Sequence, residues 1–147
     1  MFPMPTRSVL SSTHPVVSVQ RMADAICREL TTTLTTLARR RYGADVTIHC
    51  PDRAAAPEAV RCRLTWNGDS TCPEPVQMGT ELRVTHIGGN MYDVHCAVEE
   101  GASRRFTYSL PQHRVSSFLR ASGLGPAIGD FLLNELERTV GRHQLRH

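Results

Sequence analysis

The stretch TELRVTHIGGNMYDVHCAVEEGASRRFTYS, residues 80–109, sets the architecture of the chain. Its runs Thr80–Ile87, Met91–Val98 and Arg104–Ser109 alternate polar with apolar or β-branched residues, the period of extended chain. Gly88-Gly89-Asn90 and Glu99-Glu100-Gly101 separate them and are turn sequences. Connectors this short force antiparallel neighbours, because a parallel crossover needs about a dozen residues. Two further candidates, Asp45–Cys50 and Ala59–Trp66, lie upstream, punctuated by Pro51 to Pro57, Asn67-Gly68 and Pro73 to Pro75. The middle of the chain is therefore expected to be an antiparallel meander of about five or more strands.

Alternation gives each strand two faces. Val46, Ile48, Leu82 and Val84 are assigned to an apolar face, and Arg61, Arg63, Arg83, His86 and His95 to the opposite one, wet or shared with a partner.

Upstream, Val19, Met22, Ile26, Leu30, Leu34 and Leu37 recur every three or four residues, while Arg21, Asp24, Arg28, Thr32 and Arg39 take the other side. The spacing predicts a helix of about six turns. Arg39, Arg40 and Arg41 complement the negative pole of its dipole, and Gly43 suits a left-handed cap. The threonine-rich interior has low helix propensity, so this helix is expected to depend on packing against a partner helix.

Downstream, Ser109-Leu110-Pro111-Gln112 has the form of a capping box, and a helix burying Val115, Phe118 and Leu119 is expected to follow and end at Ser122-Gly123. A second helix begins near Pro126, its apolar stripe traced by Ile128, Phe131, Leu132, Leu136 and Val140, with Gly141 ending or weakening it. The order defines an α+β fold: a long N-terminal helix, the meander, and two C-terminal helices packing on the first. Residues 18–147 are read as one domain. Residues 1–17 are read as a mitochondrial transit segment or a disordered tail, being cationic at Arg7 and free of acidic residues but interrupted by Pro3, Pro5 and Pro15.

Composition narrows the chemistry. The chain has 147 residues and a net charge of +3, and all 17 of its basic residues are arginine. A lysine-free chain excludes Schiff-base and P-loop chemistry run by lysine. The five cysteines, Cys27, Cys50, Cys62, Cys72 and Cys96, contain no C-x-x-C pair, which argues against a disulfide framework or a zinc knuckle and fits reduced thiols. The adjacent pairs His49-Cys50 and His95-Cys96 point to opposite sheet faces and are poorly placed to share a metal, so neither a metal nor another cofactor is expected. No nucleophile elbow is present. Glu99 and Glu100 read as a solvated turn, and His86 with Asp93 is the best acid–base pair a small α+β enzyme would have. No catalytic residue is assigned.

The run Arg114-Val115-Ser116-Ser117-Phe118-Leu119-Arg120-Ala121-Ser122-Gly123-Leu124-Gly125, followed by Ala127-Ile128-Gly129-Asp130-Phe131-Leu132, resembles the C-terminal signature of the mitochondrial glycoprotein family, the mitochondrial acidic matrix proteins. The element order is similar too. The resemblance implies a ring-shaped homotrimer or heterotrimer in the mitochondrial matrix, with N- and C-terminal helices paired over a twisted sheet. It implies no agreed catalytic activity, but binding or chaperone-like roles in mitochondrial translation, ribosome assembly and RNA metabolism. The family is typically acidic whereas this chain has a pI near 8.8, so it reads as a divergent, basic member.

The expected function is thus a non-catalytic matrix binding or assembly factor, or structural subunit, associated with the mitochondrial ribosome or RNA metabolism. Met22, Ile26, Leu30, Leu34, Phe118, Phe131, Leu132 and Leu136 are its expected partner or oligomer interface. Arg39, Arg40, Arg41, Arg61, Arg63 and Arg83 are candidate contacts to RNA, ribosomal proteins or acidic related subunits. No small-molecule substrate and no membrane span are expected, since no apolar run reaches the roughly 18 residues of a spanning helix. The alternative is an RNA-binding protein whose Arg61, Arg63, Arg83, Arg104 and Arg105 hold phosphates while Trp66 and Tyr92 stack bases, with binding that falls steeply with salt.

Overall fold

The threonine-rich segment predicted as helix does form one, α1, Val19–Tyr42, in a computed structural model that describes residues 18–51, 58–109 and 124–145. Ser18 caps its start, the hydroxyl accepting from Arg21 N at 3.2 Å, and Gly43 ends it at φ +60°, donating its N–H to Arg39 O. Met22, Ile26, Leu30 and Leu34 have no exposed surface, which is how packing offsets the weak intrinsic propensity of the threonines.

Five strands follow: β1 (Val46–His49), β2 (Ala59–Trp66), β3 (Val76–Gly88), β4 (Met91–Val98) and β5 (Ser103–Ser109). They form one antiparallel sheet in chain order, as the short connectors require. The last helix, α2 (Leu124–Leu145), contains Pro126 in its first turn and runs through Gly141. The fold is α+β, with these two helices among the described residues. The additional helix expected after Ser109, with Phe118 in it, lies outside the described residues, as does the segment 1–17.

β3 begins four residues earlier than Thr80, because Val76 and Met78 continue the alternation of Leu82 and Val84 toward the core. Both helices cover the face carrying Val60, Leu64, Met78, Leu82, Val94 and Phe106, and make one core with it. Gly129 marks close helix approach, since a Cβ there would lie 2.6 Å from Leu37 Cδ1. At that contact Arg41 donates to Asp130 at 2.9 Å and to Asn134 at 3.1 Å, and Tyr42 OH bonds Glu137. Phe131 is partly buried and meets Phe106 edge-on at 6.3 Å between ring centroids. Farther along α2, the buried carboxylate of Glu135 accepts from Ala102 N at 3.2 Å and Arg138 Nη1 at 2.7 Å, tying the β4–β5 turn to the helix.

Candidate functional site

Among the described residues the helices leave the second face of the sheet uncovered, and strand parity decides what stands on it. Register aligns Arg61 with Glu81 and Ala97, and Arg83 with His95 and Arg105. Arg63 lies opposite Gly79, and Asp93 lies between Thr85 and Thr107. Of the predicted face residues, Arg61, Arg63, Arg83 and His95 are there.

His86 is not. It shares parity with Leu82 and Val84 and faces the covered side, where its ring lies 5.2 Å from that of Tyr92 and its Nε2 is 2.8 Å from Gly89 O. Asp93 is on the uncovered side, accepting from Thr107 Oγ1 at 2.6 Å, so the sheet separates the proposed His86–Asp93 pair. Parity likewise splits Arg104 from Arg105. Arg104 stands 4.8 Å over the Phe106 ring, while Arg105 approaches Asp93 at 3.8 Å.

Nor do the predicted stacking aromatics reach the open face. Tyr92 is fully buried, stacked on Tyr108 at 5.6 Å, and Trp66 packs edge-on against Tyr42 at 5.8 Å on the covered side. Among the described residues the open face therefore reads by charge and hydrogen bonding, without the ring platform that single-stranded nucleic acid uses.

Much of that charge is matched within the face. Arg61 Nε meets Glu81 at 3.1 Å, and Arg83 bridges Glu58 at 2.7 Å and Glu81 at 3.4 Å. Arg63 donates to Gln77 at 3.3 Å. Between these side chains lies a shallow hollow of about 260 Å³, lined by Arg61, Gly79, Glu81, Ala97 and Glu99 among others. Small residues make it: Glu99 folds over Gly79, where a Cβ would come within 2.5 Å of its carboxyl carbon. Positive and negative groups thus alternate around a hydrogen-bonding depression.

Arg39 and Arg40 are exposed at the end of α1, whereas Arg41 is engaged by α2. The apolar residues assigned to a partner interface lie elsewhere in the fold. Met22, Ile26, Leu30, Leu34, Leu132 and Leu136 are buried by the chain's own sheet and helices, so a neighbour reaches them only if the core opens.

One grouping has no counterpart in the sequence pattern. Cys50 Sγ stands 2.6 Å from Cys62 Sγ and 4.0 Å from Cys27 Sγ, bringing together α1, the end of β1 and β2. Their separation in sequence gives no cue, because the contact depends on the β1–β2 register and on helix docking. Hydrogen bonding from Cys62 lowers the Cys50 thiol to about 7 against the opposing effect of burial. Burial, then the neighbouring Cys50, raises Cys27 to about 11. No cluster of three or more His, Cys, Asp or Glu arranged to hold a metal occurs among the described residues. None of their helices is long and apolar enough to cross a membrane.

The chain matches no family model, no curated protein and no solved structure.

Proposed function

We propose that this chain is a non-catalytic binding and assembly factor that presents the uncovered face of its sheet to a macromolecular partner. One observation carries the reading: the helices cover one face of the five-strand sheet, leaving Arg61, Glu81, Arg83, His95 and Arg105 side by side on the other. A broad surface of alternating charge supports recognition of a polar protein surface, where complementarity sets register and partner choice. The resemblance in residues 114–132 supports a setting in the mitochondrial matrix, with partners from the mitochondrial ribosome or RNA metabolism. A trimeric ring, homomeric or with acidic related subunits, is the assembly proposed with it. Such a ring would use surfaces other than the Met22–Leu34 stripe, which the core occupies.

Light scattering on the full purified chain, alone and after isolation from native extract, tests this reading. A trimer, or a defined complex with acidic relatives or ribosomal proteins, is the expected result. A monomer with no co-purifying macromolecule overturns it.

A further inference from the structure

The three-cysteine cluster draws on α1, the end of β1 and β2, and its sulfurs are not among the side chains assigned to the binding face. Cys62 is on β2 with 1% exposure, on the covered side of the sheet. Cys50 follows β1, one residue beyond the last ladder pair, His49 opposite Arg63, and is half-buried. Extending the register by that residue sets Cys50 directly across from Cys62. Opposed residues on antiparallel strands have Cα atoms roughly 4.5–5.5 Å apart, inside the range a disulfide spans. The sulfurs, at 2.6 Å, need to close by only about 0.5 Å to bond.

We propose that Cys50 and Cys62 form a peroxide-oxidisable dithiol site, with Cys50 the attacking sulfur and Cys62 the resolving one. Exposure sets the roles: Cys50 is the more accessible member, and Cys62 is buried directly behind it. The environment of Cys50 also favours its thiolate, because Cys62 donates to its sulfur. Cys27 is held protonated by burial and by Cys50, which makes it the weaker competitor at neutral pH.

The steps balance with hydrogen peroxide as oxidant. The Cys50 sulfur attacks one peroxide oxygen and the O–O bond breaks. The departing hydroxide takes the proton released by the Cys50 thiol and leaves as water, so that Cys50 becomes a sulfenic acid. The Cys62 sulfur then attacks the Cys50 sulfur. The S–S bond forms, the S–O bond breaks, and the hydroxyl leaves with the Cys62 proton as a second water. Two thiols lose two electrons and two protons, and one peroxide is reduced to two waters. A dithiol reductant reverses the oxidation by thiol–disulfide exchange.

The test is peptide mapping without reduction on the full chain after stoichiometric hydrogen peroxide, with the remaining thiols alkylated. The proposal expects one main product, a Cys50–Cys62 cross-link, with Cys72 and Cys96 still alkylated. Before oxidation, Cys50 should alkylate at pH 7 roughly tenfold or more faster than Cys96. In Cys62→Ser, a sulfenic acid at Cys50 should accumulate and be trapped by a dimedone-type reagent. A wild-type chain that stays folded and keeps all five thiols, or whose cross-link joins other cysteines, overturns the assignment. The cross-link map needs only the wild-type chain, so it discriminates whether or not Cys62→Ser folds.

Discussion

Arg61 and Glu81 face each other as register partners on β2 and β3, and their side chains meet at 3.1 Å on the uncovered face. Glu81 also receives Arg83 at 3.4 Å, so one carboxylate holds two of the arginines that a reading of charge alone treats as free. The face is a lattice of opposed charges, and its recognition chemistry is that of a patterned polar surface.

That lattice is partly exposed, with Glu81 at 32% and its two arginines at 39% and 43%, so its stabilising contribution is small. Glu81→Gln should cost about 0.5–1 kcal/mol in urea denaturation, and the loss should shrink in high salt. A loss above about 2 kcal/mol would mean that the lattice holds the sheet together, contrary to its placement outside the core.

Glu135 presents the opposite case, a carboxylate only 3% exposed that fastens α2 to the Ala102 amide. Replacing it with alanine removes the acceptor and leaves a cavity, with an expected cost of about 1–3 kcal/mol. Amide exchange at Ala102 should speed up well beyond that at Val94, in the middle of β4. Unchanged Ala102 exchange would show that the turn is held by other contacts.

Alkaline pH should weaken the folded state. Burial raises Cys96 from 9.0 to about 12, and burial followed by the Glu137 hydrogen bond raises Tyr42 from 10.0 to about 12. The native chain therefore keeps protons that the unfolded chain releases. This contribution to stability is fully present below pH 9 and is lost as pH rises through about 12. Cys50 has the opposite sign, but its contribution is complete above pH 9 and adds no slope there. Denaturation at steps between pH 9 and 12 should show falling stability, by up to about 1.4 kcal/mol per pH unit for each group retaining its proton. Cys96→Ala should make that fall less steep, with Tyr42 and Cys27 still contributing, whatever it does to stability at neutral pH. An equally steep fall in the variant would assign the effect elsewhere.

The order of elements was legible because two periods were clean. The stripe from Val19 to Leu37 defined α1, and strict alternation fixed Ala59–Trp66 and Met91–Val98 as β2 and β4 without adjustment. The start of β3 was obscured because Pro73 and Pro75 read as a separator and Gly79 interrupts the alternation just ahead of Thr80. Yet Gly79 is an internal strand residue, its missing side chain replaced by Glu99 folding over it. The faces of His86, Trp66 and Arg104 were legible in principle, since parity alone puts them with Val84, Leu64 and Phe106. The charge pairing of Arg61 and Arg83 and the approach of Cys27, Cys50 and Cys62 were not. Both require a register that turn residues bound loosely, and the thiols also require the docking of α1 on the sheet.

If the uncovered face carries the binding function, replacing Arg61, Arg63 and Arg83 together by alanine should remove binding while sparing the fold. All three are partly exposed, so circular dichroism and the melting transition should remain close to those of the unchanged chain. Binding to the partner isolated with the wild-type chain, measured by titration calorimetry, should then weaken at least roughly tenfold. A folded triple variant that binds the same partner with unchanged affinity would contradict a binding role for this face.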